Sequence, residues 1–356
     1  MEASGFKVDD FNTFSCMENN KEVKVTFNFI NNIITKNQYT FSLDDFFYFN
    51  NKYYIKKPIL ESVLNGQLSH NNGKIVFEEY VYKSHDWLNS STLIAHAGGA
   101  VREPGYAAYY TNSLEALIQN YNLGHRIFEF DLYLTSDNNL AVVHDWDNWG
   151  TQNGTWLSAE EYKSSKTFGY TSTECKYTTM LISDLLDEML VNKDMFLVTD
   201  TKSFDFTNEQ IKLQFQIIYD EAMKKDPSLL DRIIPQIYNQ EMYDIITSIY
   251  NFQSIIYTVY MTTESSDNII SFAAGKDNIK VITAPFNDLR FDKTAIKKLH
   301  SENKKIFLHT IDYYYQLNQG ILKGIVGFYT NLRIPTDYKR IIKKERRYTW
   351  ILYQTY

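Results

Sequence analysis

Short apolar runs separated by longer amphipathic segments recur along most of the chain. Runs of about four to eight apolar residues are typical of buried strands, and a three-to-four-residue spacing of apolar positions is typical of helices, predicted here for 208–225 and 293–303. Eight of the apolar runs predict strands, at residues 92–95, 127–134, 196–200, 233–238, 254–260, 281–285, 305–310 and 324–330. Because strands and helices alternate in this way, the pattern predicts an α/β fold, a (β/α)₈ TIM barrel.

The first ninety residues have a different pattern, in which apolar and polar positions alternate and aromatic residues are frequent. Residues 23–29 and 74–82 predict strands, and residues 39–55 predict a hairpin that turns at Asn50 and Asn51. Aromatic strand faces of this kind could bind a glycan or form a dimer contact, although packing in a core is the favoured interpretation. We therefore predict a small β-rich accessory domain at 1–90, a barrel domain at 91–335 and a tail at 336–356.

Charge and cysteine content narrow the classes of function. The net charge of −7 over 356 residues disfavours nonspecific binding to nucleic acid. Two cysteines provide no disulfide framework and fit a reducing compartment. The first ten residues do not have the pattern of a signal peptide, and no apolar run approaches the roughly 18 residues of a membrane span. We expect a cytoplasmic protein, and the abundance of Asn, Lys, Ile, Tyr and Phe is typical of an AT-rich bacterial genome.

The tail combines basic and aromatic residues. Its basic residues are Lys339, Arg340, Lys343, Lys344, Arg346 and Arg347, and aromatic residues follow them. Such a segment could contact an anionic membrane surface. A solvated helix, followed by residues that pack on the barrel, is the favoured interpretation.

Two acidic residues lie on the predicted strand 127–134. Glu129 and Asp131 are two positions apart, so both side chains leave the same face of the strand. Two carboxylates on one face repel each other unless a cation lies between them, and such hard oxygen ligands suit Mg²⁺ or Ca²⁺ better than zinc. The alternative for this pair alone is a solvated strand face.

Two histidines follow apolar runs close to this acidic pair. His96 ends the run 92–95 and precedes Gly98 and Gly99, which allow a ligand to approach the backbone closely. His144 ends the run 140–143. A single histidine in such a place is more often structural, but two beside an acidic pair favour chemistry. One can act as base or nucleophile while the other protonates a leaving alcohol.

These motifs together resemble the glycerophosphodiester phosphodiesterase family, which lies in the wider group that includes phosphatidylinositol-specific phospholipase C. The family pattern runs from H-R-G through N-[ST]-x-x-A, E-x-D and H-D to E-x-K. The corresponding segments here are residues 96–98, 112–116, 129–131, 144–145 and 200–202, and the resemblance covers about residues 92–335.

The resemblance implies a metal-dependent phosphodiesterase that acts on a small-molecule phosphodiester as in lipid metabolism. It implies Asp200 as the third metal ligand beside Glu129 and Asp131, Lys202 as a phosphate-binding residue and Asn112 as a substrate contact. Lys202 could instead pair with one of the acidic residues. Gln236 and Tyr238, at the end of a predicted strand, could contact the alcohol portion of the substrate or fill the barrel. His309 is predicted to be a core histidine.

Three residues depart from the family pattern. Ala97 replaces a phosphate-binding arginine, Asp200 replaces a glutamate, and Asn331 stands where an acidic residue is common. Aspartate at the third position is also similar to the cyclising phospholipase D toxins of spiders. Two alternatives to hydrolysis therefore stay open: a lyase that forms a cyclic phosphate, and an inactive barrel with a binding role in surface-polysaccharide metabolism.

Overall fold

The computed structural model describes the N-terminal strands β1–β9, whose bounds are given at the end of this paragraph, and residues 87–90, 93–147, 155–202 and 205–337. The N-terminal strands pair antiparallel in three small sheets, and the hairpin predicted in 39–55 turns between Phe49 and Lys52. Residues 338–356, with the predicted basic tail, lie outside the described residues. The strands are β1 (Lys7–Val8), β2 (Thr13–Glu18), β3 (Lys21–Asn28), β4 (Ile33–Lys36), β5 (Tyr39–Ser42), β6 (Phe46–Phe49), β7 (Lys52–Ile55), β8 (Gly66–Asn71) and β9 (Lys74–Glu79).

Eight parallel strands form a closed barrel, as the apolar runs predict. Closure results from β10, which pairs with both the second and the last strand of the ring. In a closed ring of parallel strands, all carboxyl ends meet at one face of the barrel. The ring strands are β10 (Leu93–Ala95), β13 (Ile127–Leu134), β17 (Phe196–Asp200), β18 (Ile233–Ile237), β19 (Ile255–Thr258), β20 (Ile279–Pro285), β21 (Lys305–His309) and β22 (Gly327–Thr330).

Five further segments add to the barrel domain outside the ring. The strand β14 (Leu140–Val142) extends the sheet by antiparallel pairing with β13, so His144 follows a strand beside the ring. Two hairpins, β11–β12 and β15–β16, are not among the predicted strands and lie in loops after ring strands. Their strands are β11 (Val101–Glu103), β12 (Tyr106–Ala108), β15 (Lys166–Gly169) and β16 (Ser172–Thr178).

Helices surround the ring, and polar side chains start most of them. For example, the Ser113 hydroxyl accepts a hydrogen bond from the backbone N–H of Ala116, an N-cap that explains the N-[ST]-x-x-A motif. The helices are α1 (Trp87–Ser90), α2 (Leu114–Asn122), α3 (Ala159–Lys163), α4 (Ile182–Val191), α5 (Asn208–Lys225), α6 (Gln240–Ile249), α7 (Ser266–Ala274), α8 (Lys293–Ser301) and α9 (Tyr314–Leu322). None of the helices in the described part is both long and apolar enough to cross a membrane.

The barrel interior changes from apolar at its amino-terminal end to charged at its carboxyl-terminal end. Ile127 packs in the lower interior, and the same side of β13 carries Glu129 and Asp131 upward, because side chains alternate along a strand. Val198 and Asp200 repeat the arrangement on β17. Because side chains alternate along these strands, the acidic residues point into the barrel at its mouth.

Candidate active site

A cavity of about 260 Å³ opens at the carboxyl ends of the ring strands. It is lined by six of the eight predicted site residues, namely His96, Glu129, His144, Asp200, Lys202 and Gln236. The other two, Asn112 and Asp131, are buried directly behind this lining. The ring geometry thus gathers residues that are far apart in the sequence.

Three buried carboxylates form a cluster with the chemistry of a cation site. Glu129, Asp131 and Asp200 each offer an oxygen within 4.8 Å of the other two, and the last two are direct neighbours across β13 and β17. Burial and the charges of both aspartates raise the pKa of Glu129 well above its usual range. Among the described residues the Glu129 Oε1 atom has no hydrogen-bond partner. An unpartnered buried oxygen in a hard-donor set fits a divalent cation.

A tight turn after β10 orients Glu129. The backbone N–H of Ala97 donates to Glu129 Oε2 at 2.8 Å. In this turn Ala97 has a left-handed backbone, with φ of 48°, and Gly98 follows with φ of 81°. A side chain at Gly98 would place its Cβ 2.7 Å from the Phe130 ring, so glycine is needed there.

Lys202 contacts two of the three carboxylates. Its ammonium lies 2.6 Å from Asp131 Oδ1 and 2.7 Å from Asp200 Oδ2. Burial alone would lower the pKa of Lys202, but the adjacent carboxylates outweigh it and raise the pKa well above its usual range. Lys202 therefore pairs with acidic residues, which was the predicted alternative to phosphate binding. A phosphate-binding role for Lys202 stays a prediction.

Asn112 supports Asp131 from behind the cavity. Its Nδ2 atom donates to Asp131 Oδ2 at 2.7 Å, and its Oδ1 atom accepts from the Asp131 backbone N–H at 3.1 Å. Both polar atoms of the amide are thus used in holding a carboxylate. Substrate contact by Asn112 stays a prediction.

A chain of hydrogen bonds across the barrel reaches Asp200. The Tyr329 hydroxyl donates to Gln236 Oε1 at 2.9 Å, and Gln236 Nε2 donates to the Tyr238 hydroxyl at 3.0 Å. The Tyr238 hydroxyl in turn donates to Asp200 Oδ1. Gln236 thus orients Tyr238, and its predicted contact with the substrate stays a prediction.

We expect Tyr238→Phe to weaken cation binding about tenfold, because outer-shell partners of metal ligands typically contribute this much. Without the hydroxyl, Asp200 loses one of the bonds that orient it. Calorimetric titration with Mg²⁺ and with Ca²⁺ measures the effect. Tyr162→Phe is the matched control, since that buried hydroxyl donates to the Val142 carbonyl outside the ring. Equal affinities in all three proteins would contradict the assignment.

A second chain of hydrogen bonds determines the orientation of His96. The Asn331 amide donates through Nδ2 to Asp312 Oδ2 at 2.8 Å, so its Oδ1 atom faces His96 Nδ1 at 3.0 Å. The His96 Nδ1 atom must then carry the proton, which leaves Nε2 as the acceptor, 3.8 Å from Glu129 Oε2. Burial lowers the pKa of His96 although the Asp131 charge and the Asn331 hydrogen bond oppose the change.

The second histidine has a charged partner. His144 Nδ1 lies 2.5 Å from Asp145 Oδ2. The Tyr110 ring lies beside both imidazoles, with its centroid 4.7 Å from that of His96 and 5.7 Å from that of His144. The two histidines therefore line one cavity and contact the same tyrosine ring.

Tyr110 and Asp312 are not among the predicted site residues, and Asn331 is predicted only as the replacement of an acidic residue. The acidic group is supplied instead by Asp312, which also accepts backbone N–H groups from Asn331 and Leu332. The position of Asp312 just after a predicted strand end was the one available signal. His309, predicted to be a core histidine, lines the cavity. Its Nδ1 atom is hydrogen-bonded to Thr283 Oγ1 at 3.0 Å, and burial lowers its pKa to about 4.

We expect Asn331→Ala to lower kcat about 10–100-fold with a smaller change in KM, which is the size of effect seen when the hydrogen-bond partner that orients a metal-bound histidine is removed. The alanine removes the acceptor that holds His96 Nδ1. The exchanged pair Asp312→Asn with Asn331→Asp retains an acceptor for His96 and a donor behind it. Steady-state kinetics should therefore show partial rescue by the exchange. A purely structural role would predict that the exchange is no better than the alanine variant.

Comparison with known proteins identifies a matching family. The profile of the glycerophosphoryl diester phosphodiesterase family matches residues 104–332. No curated protein sequence matches the chain significantly.

Solved structures resemble the fold at low sequence identity. A glycerophosphodiester phosphodiesterase from Parabacteroides distasonis is 18% identical, with a TM-score of 0.58 over 72% of this chain and 98% of that one. A phosphodiesterase from Oleispira antarctica, solved with the product sn-glycerol-3-phosphate, is 13% identical, with a TM-score of 0.54 over 71% of this chain and 96% of that one. At these identities the likeness demonstrates a shared fold.

Proposed function

The chain belongs to the glycerophosphoryl diester phosphodiesterase family, and we propose that it hydrolyses a glycerophosphodiester to an alcohol and a phosphomonoester with His96 and His144 as its acid–base pair. One observation carries the proposal: two imidazoles and two carboxylates of the buried triad line one cavity at the barrel mouth, and the third carboxylate, Asp131, lies directly behind them. The family match supports phosphodiesterase activity, and the geometry supports acid–base roles for the two histidines.

The hydrogen-bond partners of the histidines support different roles. The neutral Asn331 amide holds His96 Nδ1, which leaves a neutral imidazole with Nε2 able to accept a proton or attack phosphorus. A carboxylate, Asp145, lies 2.5 Å from His144 Nδ1 and orients this imidazole with a negatively charged partner. We therefore assign His96 as base or nucleophile and His144 as the acid that protonates the leaving alcohol.

Glu129, Asp131 and Asp200 are the residues that would hold a divalent cation, Mg²⁺ or Ca²⁺. Such a cation would supply positive charge to a phosphate oxygen in the transition state. Asn112, Tyr238 and the Ala97 N–H keep the three carboxylates in place, as their hydrogen bonds show. Lys202 adds a second positive charge at the cavity wall and would bind the phosphate there.

Product analysis by phosphorus NMR tests this function. Wild type, His96→Ala and Glu129→Ala are incubated with a panel of glycerophosphodiesters and added Mg²⁺ or Ca²⁺. We expect a phosphomonoester with wild type alone. A cyclic phosphate would reassign the enzyme as a lyase, in which a neighbouring substrate hydroxyl attacks before water. Equal turnover by the variants would contradict the assigned residues.

A further inference from the structure

The side of the barrel that faces the carboxylates carries hydroxyl and imidazole groups at its mouth. In ring order, β19, β20 and β21 are the fifth to seventh strands, and they lie across the barrel from β10, β13 and β17, the first to third. In the lower layer these three strands carry Ile256, Val281 and Phe307. Two positions further along each strand the same side carries a polar residue, because side chains alternate. We call these three residues the polar wall: Thr258, Thr283 and His309.

The members of the polar wall are neighbours. Thr258 and Thr283 are direct partners in the register of β19 and β20. The Thr283 hydroxyl is hydrogen-bonded to His309 Nδ1 at 3.0 Å. The register and this bond therefore join the three side chains in one row. Thr258 and His309, at the two ends of the row, line the cavity.

His309 presents a neutral ring to the cavity. Its pKa is lowered to about 4 by burial, so the imidazole carries no charge near pH 7. Because Nδ1 is bonded to Thr283, Nε2 is the ring atom that can contact a ligand. In a neutral imidazole this atom donates or accepts a hydrogen bond according to the tautomer. His309 is therefore suited to a ligand group that can also do either.

Thr258 adds a second group of the same kind. It is buried, and its hydroxyl has no hydrogen-bond partner among the described residues. A buried hydroxyl without a partner costs free energy, so a ligand that bonds it gains affinity. A ligand hydroxyl both donates and accepts, as Thr258 and His309 can, whereas a phosphate oxygen accepts only and is better matched by Lys202 and a cation. The polar wall therefore suits the hydroxyl groups of an alcohol.

The polar wall is close to the reacting phosphorus and away from the leaving group. The Tyr329 ring centroid lies 6.5 Å from that of His96 and 6.2 Å from that of His309. His309 is thus one aromatic ring away from the base or nucleophile. His144, the assigned acid, follows β14, which pairs with β13 across the barrel from β20. An alcohol at the polar wall is therefore the one that stays on the phosphate.

We propose that His309 and Thr258 bind hydroxyl groups of the alcohol that stays on the phosphate, and so select a polyol at that position. This proposal rests on the proposed function, because it names the residues of the same site that recognise part of the substrate. Both residues determine specificity, and the reaction at phosphorus stays with His96 and His144.

A matched pair of phosphomonoesters tests the proposal. The probes are sn-glycerol-3-phosphate and n-propyl phosphate, which lacks both hydroxyls, and each is titrated calorimetrically at saturating Mg²⁺. Wild type should bind the glycerol ester about tenfold more tightly, because two hydrogen bonds of ordinary strength contribute at least this factor. His309→Phe and Thr258→Val should each reduce the preference about threefold or more, and His309→Gln, which retains a polar group, should reduce it less.

Thr199→Val is the matched control for Thr258→Val. Thr199 is also buried with an unpartnered hydroxyl, but it lies between Val198 and Asp200 on β17 and so faces away from the barrel interior. This variant should retain the full preference. The affinity for n-propyl phosphate should be the same in all proteins. Absence of a preference in wild type, an unchanged preference in both polar-wall variants, or an equal loss of both ligands would overturn the proposal.

Kinetics separate recognition from catalysis. With sn-glycero-3-phosphoglycerol, His309→Phe should raise KM about tenfold and change kcat little, because it removes binding that substrate and transition state share. A fall in kcat as large as that of His96→Ala would overturn the specificity role. Monoester binding involves no cleavage, so the binding result stands even if no diester is hydrolysed, which would contradict only the proposed function.

Discussion

Replacement of His96 by alanine is expected to lower kcat about 10³-fold, within the range that a positioned acid–base group contributes. The imidazole lies in the cavity with Nδ1 held by Asn331, so its Nε2 atom is the acceptor presented to the substrate. The Glu129 carboxylate beside it cannot take over this role, since it is committed to the acidic cluster. Because the lost interaction is made in the transition state, kcat and kcat/KM should fall together.

Steady-state kinetics at saturating cation measure this loss. His300→Ala is the matched control, because His300 is exposed on α8 and should be replaceable without effect. His144→Ala should be partly rescued by a substrate with a better leaving group, whereas His96→Ala should not be. If activity survived in His96→Ala, the acid–base assignment would be wrong.

Replacement of Glu129 by glutamine has the second largest expected effect, on both activity and cation binding. The change removes one of three clustered carboxylates, so the cation loses a charged ligand, and we expect kcat to fall about 10³-fold. Wild type should gain about 2.7 kcal/mol of unfolding free energy at a cation concentration of 100 times Kd, and the variant much less. In excess chelator the order reverses: the variant should be the more stable protein, because a neutral amide is not repelled by Asp131 and Asp200.

Thermal unfolding with and without cation measures these differences. The control is Glu188→Gln, which removes a half-buried carboxylate from the outer helix α4, away from the cluster. Its cation response should equal that of wild type. A Glu129→Gln variant that is stabilised by cation as much as wild type would contradict the metal site.

Much of the barrel and of the acidic site follows from local sequence patterns. Side chains alternate strictly along a strand, so the spacing of Glu129 and Asp131 already determines that they share a face. The apolar runs locate the eight ring strands because each strand is buried on both sides. Parallel order then places the residues at the strand ends, including Asp200, around one mouth.

The hydrogen-bond partners of the site residues could not be predicted in this way. His96 and Asn331 are 235 positions apart, and Tyr329 and Gln236 are 93 positions apart. Such contacts depend on which strands become neighbours when the ring closes, and no local pattern records this. The same limit applies to Lys202, whose pairing with two carboxylates depends on the β13–β17 register.

The division of the barrel interior into an apolar lower layer and a charged upper layer has a consequence for how the protein can change. Ile127 and Glu129 are two residues apart on one strand, yet Ile127 packs in the apolar layer and Glu129 belongs to the carboxylate cluster. Trp87 packs in the lower layer and does not reach the mouth. Its indole N–H donates a hydrogen bond to Ser254 Oγ at 3.1 Å. We therefore expect substitutions in the lower layer to change mainly the stability, and substitutions at the mouth to change mainly the activity. Specificity can diverge through substitutions at the mouth while the floor of the barrel preserves the fold that carries them.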